Sequence, residues 1–247
     1  MDIKHHIAAA DRLSSGFERI GKMKKPYIIC HMMTSVDGRI DCAMTEHLPG
    51  VQEYYDTLDA LNAPSRVSGR VTAQLEMARP GAFRSETHTA LGKEAFSKAA
   101  EAAGYEIVAD TRGTLLWDGE NDEARPLLIL TCESVSREYL AYLDDLGISW
   151  IACGKERIDL RCACEILAAE FGVERMAVVG GGHWNAAFLA AGLLDEVSVL
   201  IGAGIDGRGG MSAVFDGLAP EKDVTPLALE SVQAFESGAV WLRYKVK

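Results

Sequence analysis

Residues 175–201 read RMAVVGGGHWNAAFLAAGLLDEVSVLI, and this run decides the fold. Arg175 to Val179 is a short apolar stretch of strand length that ends in three glycines. His183 to Ala191 is rich in good helix formers, with Gly192 just past it, and Glu196 to Ile201 reads as a second strand. A strand, a helix and a strand joined by short connections call for parallel strands with a right-handed crossover.

The same alternation extends upstream. LLILT (Leu127 to Thr131) reads as a strand, and a helix follows from Ser136 to Leu146, with Ser136 as N-cap and Gly147 as its stop. ISWIAC is a strand and Leu160 to Phe171 a helix, so strands and helices alternate from Leu127 to Ile201.

Further out, Tyr27 to Thr34 is a buried strand and Val51 to Leu61 a helix. Arg66 to Gly69 is a strand, and Val71 to Ala78 a helix stopped before Pro80. Lys93 to Ala103 favours helix, and YEIVAD and TLLWD each predict a strand. At the other end, Leu227 to Glu236, Ser237-Gly238 and Ala239 to Lys247 form the pattern of a β-hairpin with a two-residue turn. The expected fold is α/β: a mostly parallel central sheet flanked by helices, with a C-terminal antiparallel hairpin. Residues 1–25 are expected to be a helical arm and residues 26–247 one domain.

The chain has 247 residues, 48% hydrophobic and 25% charged, as an ordinary globular protein has. A net charge of -11 disfavours a nucleic-acid backbone or an anionic membrane surface as partner. The first 25 residues lack the apolar core of a signal peptide, and no apolar run is long enough to span a bilayer, so a cytoplasmic location is expected. The six cysteines form no C-x-x-C pair, and Cys162 and Cys164 have no partner ligands at zinc spacing. Reduced, buried thiols and no metal are the expectation.

Three segments carry chemistry, each at a strand end. Ser35-Val36-Asp37-Gly38-Arg39-Ile40 follows the opening strand. A tight Asp-Gly turn alone accounts for it, but Gly38 would also let backbone approach a ligand. Gly69-Arg70-Val71-Thr72 opens a helix, whose free N–H groups and positive end suit a phosphate, with Arg70 adding a fork of donors. Gly180-Gly181-Gly182 joins a strand to a helix. Three successive glycines are costly to order unless the backbone adopts positive φ or lies against something, and a pyrophosphate explains them.

Gly202-Ala203-Gly204-Ile205-Asp206-Gly207 satisfies G-x-G-x-x-G, yet no helix opens after it, so it reads as a glycine-rich loop at a sheet edge rather than a dinucleotide fingerprint. No G-x-S-x-G elbow occurs, and the histidines lie in no triad-like pattern. His31, inside an apolar strand, reads as a satisfied core residue.

In their order, these segments resemble a known family. KPYIICHMMTSVDGRI (residues 25–40) resembles the opening strand and S-L-D-G-R-I loop of the riboflavin-biosynthesis reductases. SGRVTAQLE (68–76) resembles the G-R-x-T segment of dihydrofolate reductases, in the place where the riboflavin enzymes have G-x-G-T. VVGGGHWNAAFLAAGLLDEVSVLI (178–201) resembles the family's glycine loop, helix and following strand. The resemblance implies a dihydrofolate-reductase-like fold and an NADPH-dependent reductase of a pyrimidine- or pterin-like heterocycle. The substrate it favours is a ribosylaminopyrimidine phosphate, reduced to its ribitylamino form.

It also implies roles. Gly69, Arg70 and Thr72 would contact the cofactor's phosphates, with Glu76 also expected at the cofactor, Gly180, Gly181 and Gly182 would cradle the pyrophosphate, and Thr131 and Ser134 would lie near the adenosine ribose and its 2′-phosphate. Ser35, Asp37 and Gly38 would border nicotinamide and substrate, with Asp37 the candidate catalytic group. Family members commonly form homodimers.

Two departures stand out. The D-D-P-x-L-T run that usually follows the threonine is replaced by Ala73 to Pro80, where only Glu76 keeps an acid at the matching place, and Gly180 stands where the riboflavin enzymes carry Glu. No H-x-E followed by P-C-x-x-C, the deaminase signature, occurs. A dihydrofolate- or pteridine-type reductase, a Rossmann dehydrogenase using the Gly202 loop, and a non-catalytic NADPH-binding module remain open readings at this point.

Overall fold

A computed structural model describes residues 24–119 and 122–247, so the expected arm over 1–25 lies outside the described residues apart from its last two. The chain runs β1 (Tyr27–Thr34), α1 (Cys42–Thr45), α2 (Val51–Ala60), β2 (Ser65–Gly69), α3 (Arg70–Glu76), β3 (Ala95–Ser97), β4 (Glu106–Ala109) and β5 (Leu127–Thr131). It continues with α4 (Arg137–Asp145), β6 (Ser149–Ala152), α5 (Leu160–Ala169), β7 (Arg175–Val178), α6 (Gly182–Ala190), β8 (Glu196–Ile201), β9 (Leu227–Ala234) and β10 (Val240–Val246). These elements gather into two compact units, one over residues 73–174 and one formed by residues 27–72 with 175–247.

In the second of these, the strands lie in the order β2-β7-β1-β8-β10-β9. β2, β7, β1 and β8 are parallel, and β10 runs antiparallel to both β8 and β9. β1 is buried from Ile28 to Thr34, the mark of a strand with both faces covered. β7 and β8, consecutive in the run that decides the fold, are not neighbours, because β1 is inserted between them.

On one face, Met33, Leu200 and Ala239 pack against Val51, Tyr54 and Trp241. Beneath α2, the Trp241 indole donates to Ser198 Oγ at 2.7 Å, and Ser198 Oγ lies 2.9 Å from Nδ1 of the buried His31. With Ser198 accepting from Trp241, its own proton goes to Nδ1. That leaves Nε2–H facing the Tyr54 carbonyl and Thr57 Oγ1, each at 3.4 Å. His31 is thus a satisfied core residue, and burial pushes its pKa down to about 4.

The hairpin forms as its pattern predicts. β9 carries apolar residues at 227 and 229, then at 232 and 234, a spacing that breaks strict alternation. A register shift between Arg243 and Tyr244 repairs it. Leu227, Leu229, Val232 and Ala234 stand opposite Val246, Tyr244, Leu242 and Val240, all on one face.

The other unit orders its strands β3-β6-β5-β4, with β4, β5 and β6 parallel and β3 antiparallel at the edge. Its core gathers Val108, Ile129, Leu140, Leu143, Ile148 and Trp150. α4 and α5 are capped by Ser136 and Asp159, whose side chains accept from first-turn amides.

Two local expectations are corrected here. Lys93 to Ala103 is not a helix: Ala95–Ser97 pairs with Trp150, Ile151 and Ala152, and Ala99 N–H donates to Ser149 Oγ at 3.0 Å. The backbone groups along β6 outweigh the weak helix preference of an alanine-rich segment. TLLWD is not a strand either. The amides of Thr114 and Leu115 donate to the Asp110 carboxylate and that of Trp117 to Tyr142 Oη, while the carbonyls of Thr114 and Leu116 accept from Phe83 and Arg79, so a single bridge and side-chain acceptors stand in place of a ladder.

Among the described residues no helix is long and apolar enough to cross a membrane, and no group of three or more His, Cys, Asp or Glu could hold a metal ion. Cys30, Cys132, Cys153 and Cys164 are buried free thiols, and Cys162 is a half-buried one.

Candidate functional site

β2, β7, β1 and β8 run parallel, so their carboxyl ends share one edge, and all three sequence segments fall there. Gly69 ends β2, Gly180 to Gly182 follow β7, and Ser35 to Gly38 follow β1. β2 and β7 stay joined beyond their last ladder pair. Val179 N–H donates to the Val67 carbonyl at 3.0 Å, and Gly69 N–H to the Gly180 carbonyl at 2.9 Å. α3 and α6 therefore begin side by side, each presenting first-turn N–H groups that have no partner within the helix.

The helix expected over Val71 to Ala78 begins at Arg70, so the guanidinium stands on the first helical residue. Arg70 is exposed and makes no hydrogen bond or ion pair with a described residue. Thr72 is half-buried on the same turn.

The three glycines differ in what they need. Gly180 has φ 135°, and a Cβ there would stand 3.6 Å from Thr72 Oγ1 and 3.7 Å from Met32 Cε, in a recess walled by α3 and β1. The Gly180–Gly181 peptide is cis. Gly181 faces open space, with nothing within 4 Å of the point a Cβ would occupy. Gly182 is different: a Cβ would fall 2.3 Å from the Ala213 carbonyl oxygen, so this glycine admits protein backbone. Asn185 fastens the same segment by donating to the Val214 carbonyl at 2.7 Å. Sequence reasoning missed this packing, because nothing near residue 213 marks it as the neighbour of a glycine far upstream.

Around these strand ends, three buried polar atoms lack a partner among the described residues: Ser68 Oγ, Trp184 Nε1 and Asn185 Oδ1. Buried polar atoms are usually satisfied, and these three lie within a few residues of the Gly69 and Gly180-to-Gly182 turns. With a free Arg70, two helix beginnings and an open Gly181, the residues present fit a phosphate-bearing cofactor.

At the end of β1, Asp37 is surrounded by donors. Its Oδ1 accepts from Ser35 Oγ at 2.7 Å and from Asp206 N–H at 2.9 Å, and its Oδ2 accepts from Gly207 N–H at 3.0 Å. The Ser35 hydroxyl and these two amides hold the carboxyl well below the usual carboxylate range, so Asp37 is an anion at neutral pH. Gly38 takes φ 80° in the turn beside it.

The same contacts dispose of the G-x-G-x-x-G reading. The amides of Asp206 and Gly207 are already spent on Asp37. A Cβ at Gly202 or Gly204 would press on Leu48, at 3.0 and 2.5 Å, so these glycines serve packing.

Glu76, Thr131 and Ser134 lie in other surroundings. Glu76 is the exposed last residue of α3, about 9 Å along the axis from Arg70. In the other unit, Thr131 ends β5 buried, its hydroxyl donating to the Thr111 carbonyl at 3.1 Å. Ser134 is exposed in the following turn, its Oγ 3.0 Å from Cys132 Sγ.

Residues 26–241 match the family described as the RibD C-terminal domain. Among solved structures, a pyrimidine reductase-like protein from Corynebacterium diphtheriae superposes with a TM-score of 0.68 at 20% identity, over 91% of this chain and 93% of that one. RibD of Acinetobacter baumannii gives 0.64 at 20% identity over 91% of this chain, which spans 58% of that longer protein. The riboflavin biosynthesis reductase Rib7 of Saccharomyces cerevisiae gives 0.60 at 15% identity, covering 92% of each chain.

Proposed function

The chain belongs to the RibD C-terminal domain family, whose members have a dihydrofolate-reductase-like fold, and from that premise we propose that it is an NADPH-dependent reductase of a ribosylaminopyrimidine phosphate. The observation that carries this reading is the clasp between Gly69 and Gly180, which sets two helix beginnings side by side with Arg70 on the first turn of one of them.

NADPH, when bound, supplies the hydride that opens the substrate's sugar to a ribityl chain. The protein's part is to bind, orient and exclude water. Arg70 and Thr72 hold phosphate oxygens, and the backbone at Gly180 and Gly181 accepts the pyrophosphate, with open space at Gly181 where a side chain would stand, while Gly182 seats the Ala213 carbonyl. Ser35, Asp37 and Gly38 border the place where donor and acceptor meet.

The test is a cofactor-oxidation assay with the ribosylaminopyrimidine phosphate beside dihydrofolate. Turnover of the first alone is the expected result. Turnover of dihydrofolate alone would move the chain to the pteridine-type reading, for which Gly180 in place of the riboflavin enzymes' Glu speaks. NADPH binding without turnover of either would leave a cofactor-binding module.

We also propose a homodimer. The hairpin face bearing Leu227, Leu229 and Val232, exposed by 37, 59 and 57%, continues into Val240, Leu242, Tyr244 and Val246. A contiguous apolar sheet face of this kind marks an interaction surface.

A further inference from the structure

The segment from Gly202 to Ala213 arches over the end of β1, and its two feet are held by backbone. At one foot, Gly202 N–H donates to the Thr34 carbonyl and Val36 N–H to the Gly204 carbonyl, both at 2.8 Å. At the other, Ile40 N–H donates to the Ser212 carbonyl at 3.1 Å, and Arg39 Nη1 to the Met211 carbonyl at 2.9 Å.

Between the feet, the described bonds to the rest of the protein go to two carboxylates. Asp37 takes the Asp206 and Gly207 amides, and Asp41 takes Arg208 Nη2 at 2.6 Å. Arg208 also grips the carboxylate of Asp206, whose side chain is 1% exposed. Arg39 Nε stands 3.9 Å from Asp37, and Arg39 N–H donates to Ser35 Oγ at 3.1 Å, which steadies the hydroxyl that serves Asp37.

Two successive backbone N–H groups aimed at one anion form the nest that glycine-rich loops use to bind phosphate. Here the anion is built into the chain. We propose that Asp37 is a positioning residue: its carboxylate fills the nest of the Gly202-to-Gly207 loop and straps that arch, with the exposed Ile205 at its crest, against the Ser35-to-Arg39 turn. Both carboxylate oxygens bond donors of the arch and of its supporting turn, and by holding the arch in place Asp37 shapes the substrate's surroundings. That last step rests on the reductase reading; the strap itself does not.

The test compares the full chain with Asp37→Asn by amide hydrogen exchange, by tryptic cleavage after Arg208, and by steady-state kinetics with NADPH and the pyrimidine substrate. The amide side of Asn opposes one of the two N–H donors. Exchange at Asp206 and Gly207 should therefore rise tenfold or more, on the order of the 1.4 kcal/mol that one decade represents. Cleavage after Arg208 should quicken. Amides of β1 and β8 should keep their protection. KM for the heterocycle should rise several-fold with kcat changed less and the pH profile retaining its shape.

Unchanged exchange at 206 and 207 would overturn the strap. So would equal acceleration across β1 and β8, which would make Asp37 a part of the global fold. A loss confined to kcat, with one limb of the pH profile gone, would make Asp37 a proton donor instead. If no heterocycle is turned over, the reductase reading fails, while exchange and cleavage still decide the strap.

Discussion

Gly69 and Gly180 are joined by a 2.9 Å backbone hydrogen bond, one step past the ladder that pairs β2 with β7. This bond lies between two turns that both lead directly into helices, so it fixes how far apart the helices start. An anion placed there would meet the first-turn N–H groups of both helices and the positive ends of their dipoles, with Arg70, which has no side-chain partner among the described residues, on the same turn.

Arg70→Ala should weaken NADPH binding by about 10- to 100-fold, the range expected for a lost charge-assisted hydrogen bond. The thermal midpoint should hardly move, since Arg70 has no partner among the described residues. Titration with NADPH and NADH checks both points: NADPH selectivity requires a larger loss for NADPH, and equal losses would count against it.

Gly181→Ala and Gly182→Ala separate ligand from fold. Gly181 faces open space at φ -92°, so its alanine variant should fold normally and lose cofactor affinity by tenfold or more. Gly182→Ala drives a methyl to 2.3 Å from the Ala213 carbonyl and should cost about 2 kcal/mol or more of stability. Urea unfolding alongside fluorescence titration reads the two effects.

Glu196 is fully buried between Arg243 and Lys245, with Nε of Arg243 at 2.6 Å and Nζ of Lys245 at 3.1 Å, and it accepts from Tyr27 Oη at 3.0 Å. Glu196→Ala leaves Arg243 and Lys245 with Glu230 alone, at 3.7 and 3.3 Å, and removes the acceptor of the Tyr27 hydroxyl at the amino end of β8, opposite the candidate site. With Lys245 43% exposed, the expected cost is about 1 to 3 kcal/mol of unfolding free energy, with cofactor affinity of the folded fraction unchanged.

Stability should fall in acid through His31. Its unfolded pKa is about 6.5 and its folded pKa about 4, so the unfolded chain takes up a proton first. The contribution is complete above pH 6.5 and is lost as the pH drops toward 4, on the order of 3 kcal/mol in all. Urea midpoints over that range should flatten in His31→Gln relative to the parent.

Val232→Asp places a charge in the middle of the hairpin's apolar face, where Val232 is 57% exposed in the single chain. Sedimentation should shift from dimer to monomer with the fold intact, because the residue packs against nothing else that the charge would bury. A parent that sediments as a monomer would remove the homodimer.

The sequence by itself determined which segments are strands and helices wherever burial repeats with a clear period, as from Leu127 to Ile201 and through the hairpin. It also marked Gly69 to Thr72 and Gly180 to Gly182 as strand-to-helix turns, because glycine and helix-start chemistry are local. Tertiary structure alone decided that β1 lies between β7 and β8, and that Ala95 to Ser97 joins β6 as a strand. It decided too that Gly182 yields to the Ala213 carbonyl and that Asp37 is claimed by amides of Asp206 and Gly207. Periodicity records that a side chain is buried, but not against what. The partner of an edge strand, a missing Cβ or a carboxylate comes from distant chain and is chosen by which unpaired groups the fold brings within reach.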